Sequence, residues 1–356
     1  MNTQAINSAL RTNNVRRVCV GDAMVGDSIS TSGLAFLRGE LEKRDPTLLE
    51  PLTNVSYMKD IDIIPGGGFV DFTSNTFVDY ATTGGNQGGN QQGIIGGASN
   101  AIPMIQANVS KDVFRVFTWG TNMKVSFVDN EKYQNTGASK SLDQMYNDGI
   151  RLSFNKMLDQ NTYLGFANYG TYGLCNNPNI YAYELAKNAA GTSTTWANKS
   201  ATEILNDVNT LINNAYAACQ YDESAIINHI LIPPAAFAYI QITPVTSAGT
   251  ESILTYLLRN NLAKSFGKEL TIRPSRWCIG AGAASDAGGA KAGAVADRMV
   301  GYCMDKKFIN FDLTVPCTRI MTAPSVEQQA YLTAFAGQVG QVKALYPTTC
   351  YYGDGI

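Results

Sequence analysis

Ser139–Phe166, SKSLDQMYNDGIRLSFNKMLDQNTYLGF, is the stretch on which the fold turns. Ser141 with Gln144 three residues on has the form of a capping box, which supplies side-chain acceptors to two backbone N–H groups at a helix start. Leu142, Met145, Tyr146, Leu152, Phe154, Met157 and Leu158 recur at steps of three and four, so a helix gathers most of them on one broad stripe. Gly149 costs such a helix about 1 kcal/mol relative to Ala and marks a candidate close crossing. One long helix is expected over 139–166.

Upstream, residues 61–80, IDIIPGGGFVDFTSNTFVDY, alternate apolar and polar positions after a Pro65-Gly66-Gly67-Gly68 turn. Thr82–Asn100 then carries seven glycines and no charge. The return, residues 104–129, alternates again, with Val113, Arg115 and Phe117 opposing Phe114, Val116 and Thr118. Two strand runs around an uncharged tip predict a long protruding hairpin, and an isolated hairpin is marginal in water without a partner. Residues 1–60 show little strand or core signal. They hold a small basic cluster (Arg11, Arg16, Arg17) and an amphipathic piece over Leu34–Leu52, whose apolar face must cover either a neighbouring subunit or its own domain.

Downstream, Asn161–Ile180 is a turn-rich exit from the helix, and 181–199 reads as a polar linker ending near Trp196. Ser200 and Glu203 cap a second helix carrying Ile204, Leu205, Val208, Leu211, Ile212, Ala215 and Tyr216. Ser224–Pro234 is expected as a buried strand. A short helix follows it, then another helix opened by Thr250 and Glu251. KELTIRP and RMVGYCM add strands on either side of a Gly/Ala stretch, Gly280–Ala294, expected as a mobile loop. This alternation indicates a compact α/β unit of ordinary domain size. From Lys306 onward strands return, so the α/β unit is an insertion between two halves of an outer domain.

The chain has 356 residues, 45% hydrophobic, yet only 16% charged, with 33 Gly and 18 Tyr. A surface poor in charge and rich in small polar and aromatic groups suits protein contact. A net charge of −2 argues against a nucleic-acid reader. No apolar run reaches the roughly 20 residues of a membrane span. Seven scattered cysteines without a C-x-x-C pair point to a reducing compartment of synthesis and away from structural zinc.

Catalytic chemistry finds little footing. His229 is the only histidine and lies within a strand, where a hydrogen-bonded structural role is favoured over a general base. A phosphate loop needs Lys then Ser or Thr after its last glycine. Here Gly96-Gly97 precedes Ala98-Ser99-Asn100, and Gly267-Lys268 precedes Glu269. Asp143 with Asp148, and Asp297 with Asp305, read as solvated or capping charge. Asp286 alone cannot fill a cation's oxygen shell. No catalytic, cofactor-binding or metal-binding residue is assigned.

An ordered set of short motifs carries a resemblance. It comprises Gly173-Leu174-x-Asn176-x-Pro178, Trp196, Thr202-Glu203-Ile204-Leu205-x-Asp207, Leu231-Ile232-Pro233-Pro234-x-x-x-x-Tyr239 and Thr250-Glu251-Ser252-Ile253-Leu254. Asp297-x-Met299-Val300-x-Tyr302, Val315-Pro316 and the Gly337–Pro347 strand follow, while Tyr80 and Ala101-Ile102-Pro103 precede the long helix. Over roughly residues 60–350 this resembles the major capsid proteins of tailed bacteriophages, in a branch long catalogued without a function. Ala101 departs from an expected acidic residue.

The resemblance implies an α+β, Hong Kong 97-type capsid fold. Its parts would be an N-terminal arm (1–60), an extended loop (61–125), a peripheral domain (126–175 and 305–356) with its spine helix at 139–166, and an axial domain (176–304). It also implies self-assembly into hexamers and pentamers that close an icosahedral head around double-stranded DNA, without sequence-specific binding or a membrane. Portal, scaffold or decoration proteins would be further partners, and the subunit would be made in the host cytoplasm and end in the virion. Candidate assembly contacts are Arg16 and Arg17 in the arm, Phe69 and Phe72 near the loop's base, Gly84, Gly85, Ile94 and Ile95 in its tip, and Asp286 in the axial domain. An encapsulin-type compartment and a soluble α/β enzyme are the alternatives.

Overall fold

The computed structural model describes residues 53–83, 104–134, 140–246, 249, 251–286 and 289–356. In chain order the first elements are α1 (Tyr57–Asp60), β1 (Ile63–Pro65), β2 (Phe72–Thr83), β3 (Met104–Arg115), β4 (Phe117–Ser126) and α2 (Phe127–Gln134). The long helix α3 spans Leu142–Leu164, and its capping box forms as the sequence predicts. Gln144 N donates to Ser141 Oγ (3.3 Å), and Ser141 N donates to Gln144 Oε1 (3.1 Å).

Only the C-terminal half of α3 is buried, through Phe154, Leu158 and Tyr163. Met145 and Tyr146 of the expected stripe are 38% and 46% exposed. Gly149 does not mark a crossing, because a Cβ there would meet no described atom within 4 Å.

The helix ends because the chain folds back onto it. Leu174 N and Cys175 N donate to the carbonyls of Thr162 and Tyr163 at 2.8 and 2.9 Å. Asn176 closes this turn, its Oδ1 accepting from Gly173 N (2.7 Å) and its Nδ2 donating to Leu164 O (2.8 Å). At Gly173 a Cβ would collide with the backbone of Tyr163 and Leu164, so a side chain is excluded by space. Gly173→Ala is expected to destabilise the subunit by about 3 kcal/mol, read as a lowered urea midpoint.

The second half contains β5 (Tyr181–Glu184), α4 (Ala201–Ala218), β6 (His229–Ile232), α5 (Pro234–Ile242), α6 (Ile253–Arg259), α7 (Leu262–Ser265) and β7 (Thr271–Pro274). It continues with β8 (Gly282–Asp286), β9 (Gly289–Ala296), β10 (Arg298–Tyr302), β11 (Ile309–Leu313), β12 (Val315–Ser325), β13 (Ala330–Val339), β14 (Val342–Ala344) and β15 (Cys350–Asp354). A five-stranded mixed sheet runs β5-β15-β10-β6-β7. Helix α4, capped by Ser200 and Glu203, lays Ile204, Val208, Leu211 and Ile212 on it. Gly301 on β10 lets the helix approach, since a Cβ there would lie 2.5 Å from Leu211 Cδ2.

Several expectations change here. The Gly/Ala stretch is not a loop but contributes the antiparallel pair β8–β9. Small residues still pair through their backbone, which composition alone conceals. The 181–199 linker contains strand β5, and helix α6 is capped by Ser252 rather than by Thr250. Strand β15 sits between β5 and β10, so assigning all of 305–356 to the unit around the long helix gives the last strand to the wrong sheet.

A second sheet, β12-β13-β4, carries α3: Phe154 meets Trp119 edge-on at 5.0 Å, over Gly337. A small sheet, β1-β11-β14, adjoins it. The hairpin forms as an antiparallel ribbon of β2 and β3, paired from Phe72↔Arg115 to Thr83↔Met104. It is shorter than expected at its base. Beyond Val116 the chain leaves the ribbon, and β4 pairs instead with β13.

Candidate assembly surfaces

Pairing in the ribbon sorts its side chains into two faces. Phe72, Val78 and Tyr80 of β2 share one face with Val113, Val109 and Ile105 of β3, and Val78 stands directly opposite Val109. All six are exposed, from 48% at Val78 to 76% at Tyr80. The face also carries Lys111, opposite Thr76, and Arg115, opposite Phe72, but so many apolar side chains left in water on a narrow ribbon mark a surface that another molecule covers. The opposite face is mostly polar and its base rests on the body, with Phe77 edge-on to Tyr346 at 6.1 Å.

A second apolar patch lies where β12, β13 and α2 converge. Phe127, Val326 and Tyr331 are exposed around a shallow 300 Å³ cavity also lined by Pro324 and Gln329. Helix α2 buries no residue of its own.

Upstream of the ribbon, a pair of buried carboxylates anchors the approach segment. Asp159 on α3 accepts from Ser56 N (2.9 Å), Tyr57 N (3.2 Å), Trp277 Nε1 (2.9 Å) and Arg276 Nη2 (3.3 Å). Asp60, wholly buried, accepts from the Tyr163 hydroxyl and faces Arg273 Nε (3.2 Å) and His229 Nε2 (3.3 Å). Together they tie the segment leading into the ribbon to α3 and to the five-stranded sheet. Tyr57 and Asp60 therefore belong to the core, contrary to the sequence expectation for residues 1–60, because both are buried by partners about a hundred residues away. Burial first, then the Asp159 charge, pushes the Tyr57 phenol up to about 12. His229 occupies the structural position expected for it.

Phe69 and Phe72 are exposed at the ribbon's root, 62% and 58%. Asp286 closes strand β8 opposite Gly289. Arg16, Arg17, Gly84, Gly85, Ile94 and Ile95 lie outside the described residues. The structure does not bring Phe69 and Phe72 together with Asp286 in one element, since Phe69 precedes the ribbon, Phe72 opens it, and Asp286 lies in the β8–β9 pair. No cluster of three metal-ligating side chains occurs among the described residues, and no described helix is long and apolar enough to cross a membrane.

The profile of the family described as major capsid protein matches residues 90–356. The chain belongs to that family. Among solved structures, the capsid of Myoviridae phage XM1 is similar with a TM-score of 0.68 at 17% identity, covering 89% of this chain and 98% of that one. The capsid of a native GTA particle gives 0.54 at 9% identity, covering 93% and 99%. The capsid of cyanophage P-SCSP1u gives 0.52 at 13%, covering 88% and 92%. No curated protein matches by sequence. The shared feature is the α+β, Hong Kong 97-type capsid fold.

In this capsid protein the short motifs turn out to be scaffold. Trp196 Nε1 (3.0 Å) and Lys199 Nζ (2.5 Å) both donate to Asp207, whose carboxyl is pushed up by burial against those two partners. Arg298 grips Asp354 through two bonds of 2.6 and 2.9 Å and stacks over Tyr352. Reasoning from sequence missed Val109, Ile105, Val113 and Asp60. The ribbon residues were legible from the alternation once the return strand was put in register, whereas Asp60 had no local signal.

The described cysteines are all thiols. Burial pushes Cys350 up to about 12 from an ordinary 9.0. The folded state thus favours the neutral thiol, so this contribution is full below about pH 9 and is lost as pH rises toward 12. Alkylation of the native subunit at pH 8 is expected to reach the half-buried Cys219 and Cys317 well before Cys350, as read by peptide mass mapping.

Proposed function

We propose that the chain is the principal shell subunit of a tailed-phage head, forming hexamers and pentamers that close around double-stranded DNA. The observation that carries this is the exposed apolar face of the β2–β3 ribbon, in a chain of the major capsid protein family. A second copy of the chain is the occupant, with the ribbon acting as the extended loop laid over its neighbour and the chain before Ser56 as a reaching arm. The sheet carrying α3 acts as the peripheral domain. The five-stranded sheet, with β15 included, acts as the axial domain at the five- and six-fold centres. The mechanism is association rather than turnover.

A net charge of −2 suits a wall that encloses DNA without binding it by sequence. A portal and scaffold or decoration proteins complete the particle, and the subunit is made in the host cytoplasm. The test is light scattering behind size exclusion, with the same fractions viewed by negative-stain microscopy. Rings, sheets or closed shells are expected without added ligand. A chain that stays monomeric on concentration, under crowding and with its scaffold co-expressed overturns the proposal.

A further inference from the structure

Gly66, Gly67 and Gly68 take φ of 105°, 110° and 70° between β1 and the ribbon. Such a backbone has little torsional stiffness, so it does not itself fix where the ribbon points. Just beyond it, two buried polar side chains of the C-terminal strands take hold. Gln338 on β13 treats Val70 as a strand partner, with Oε1 accepting from Val70 N (2.9 Å) and Nε2 donating to Val70 O (2.5 Å). Thr314 Oγ1 steadies that amide at 3.2 Å.

Lys343 on β14, 3% exposed, is ion-paired with Asp312 and donates to Asn75 Oδ1 at 3.2 Å. It also lies 5.0 Å from the Phe114 ring centroid, so it grips both strands of the ribbon at once. A buried lysine is costly unless paired. A root that needed only sealing would be served better by apolar side chains.

We propose that Gln338 and Lys343 are positioning residues that lock the ribbon's angle to the body, and through it the angle at which copies meet. The second half of this rests on the shell function above. Leverage makes the angle matter. The ribbon's paired length is roughly 40 Å at strand rise, so a swing of about 10° at the root moves its far end by about 7 Å.

The test uses the full chain with Gln338→Ala, Lys343→Met and Lys343→Arg. Hydrogen exchange on unassembled subunits is read at residues 70–77 and 113–116, with β10 as internal reference, and particle diameters are read by electron microscopy. In the first two variants, root exchange is expected to quicken about tenfold or more while β10 is unchanged, and diameters are expected to broaden. Lys343→Arg, which keeps the charge, should restore both. Parental root exchange in both variants, loosening that reaches β10 equally, or parental diameters despite a loosened root would each overturn the proposal. A parent chain that forms no particles would sink the shell function instead, while the exchange data would still decide whether the root is locked.

Discussion

Val109→Asp is expected to abolish particle formation while leaving the subunit's own unfolding free energy within about 1 kcal/mol of the parent. Val109 is 69% exposed in the chain, so a carboxylate there meets only water before assembly. Once a neighbour covers the stripe, the change forfeits about 1–2 kcal/mol of apolar burial. It also puts a carboxylate into a contact that must desolvate it, with Lys111 two residues along the same face as its only near cation on the strand, which costs more. A closed shell repeats that loss at every equivalent contact, so the concentration needed for assembly should rise by at least about tenfold. Gln106→Asp, on the polar face of the same strand, should still assemble and serves as the control. The measurement is particle yield by sedimentation and microscopy at matched soluble protein. Normal particles from Val109→Asp would show that this face is not the one covered.

Asp60→Ala is expected to act oppositely, destroying the subunit before assembly is reached. The substitution leaves Arg273, His229 and the Tyr163 hydroxyl facing a void where a fully buried carboxylate stood. Removing one member of a buried charged cluster costs about 3–5 kcal/mol, a large part of the roughly 5–15 kcal/mol that keeps a domain folded. Asp159→Asn should cost less. An amide oxygen can still accept from Ser56 N and Tyr57 N, the Arg276 partner is 55% exposed and can turn to solvent, and only Trp277 Nε1 loses its acceptor. Urea titration of both variants measures the order. Equal midpoints for Asp60→Ala and the parent would show that the cluster does not staple the ribbon's approach segment to the body.

Legibility in the sequence followed the range of the interactions. Both capping boxes, at Ser141 and Ser200, and the strand at Met299 are written locally and appear where expected, while the strand expected over Ser224–Pro234 is confined to His229–Ile232. Long-range partners left no such trace. Ser56–Asp60 is a single turn without periodicity, and its importance comes from Asp159 across the fold. The break at Val116, where one continuous alternation is divided between two sheets, is marked by neither Gly nor Pro, so β3 and β4 read as a single strand. Of the assembly candidates, the two phenylalanines could be recognised as exposed aromatics after a glycine turn. The stripe on β3 needed the register of the ribbon.

Strand β15 occupies an interior place in its sheet, flanked by β10 and β5. Its neighbours are therefore synthesised long before it, and a nascent chain must carry the bare edge of β10 until residues 350–354 emerge and dock. Prematurely terminated translation products would lack that strand and leave β5 unattached, with Arg298 deprived of Asp354. Such fragments would be poor folders and easy prey for proteolysis. The five-stranded sheet is thus completed by the last of its strands to be made, which closes the edge of β10 and holds β5.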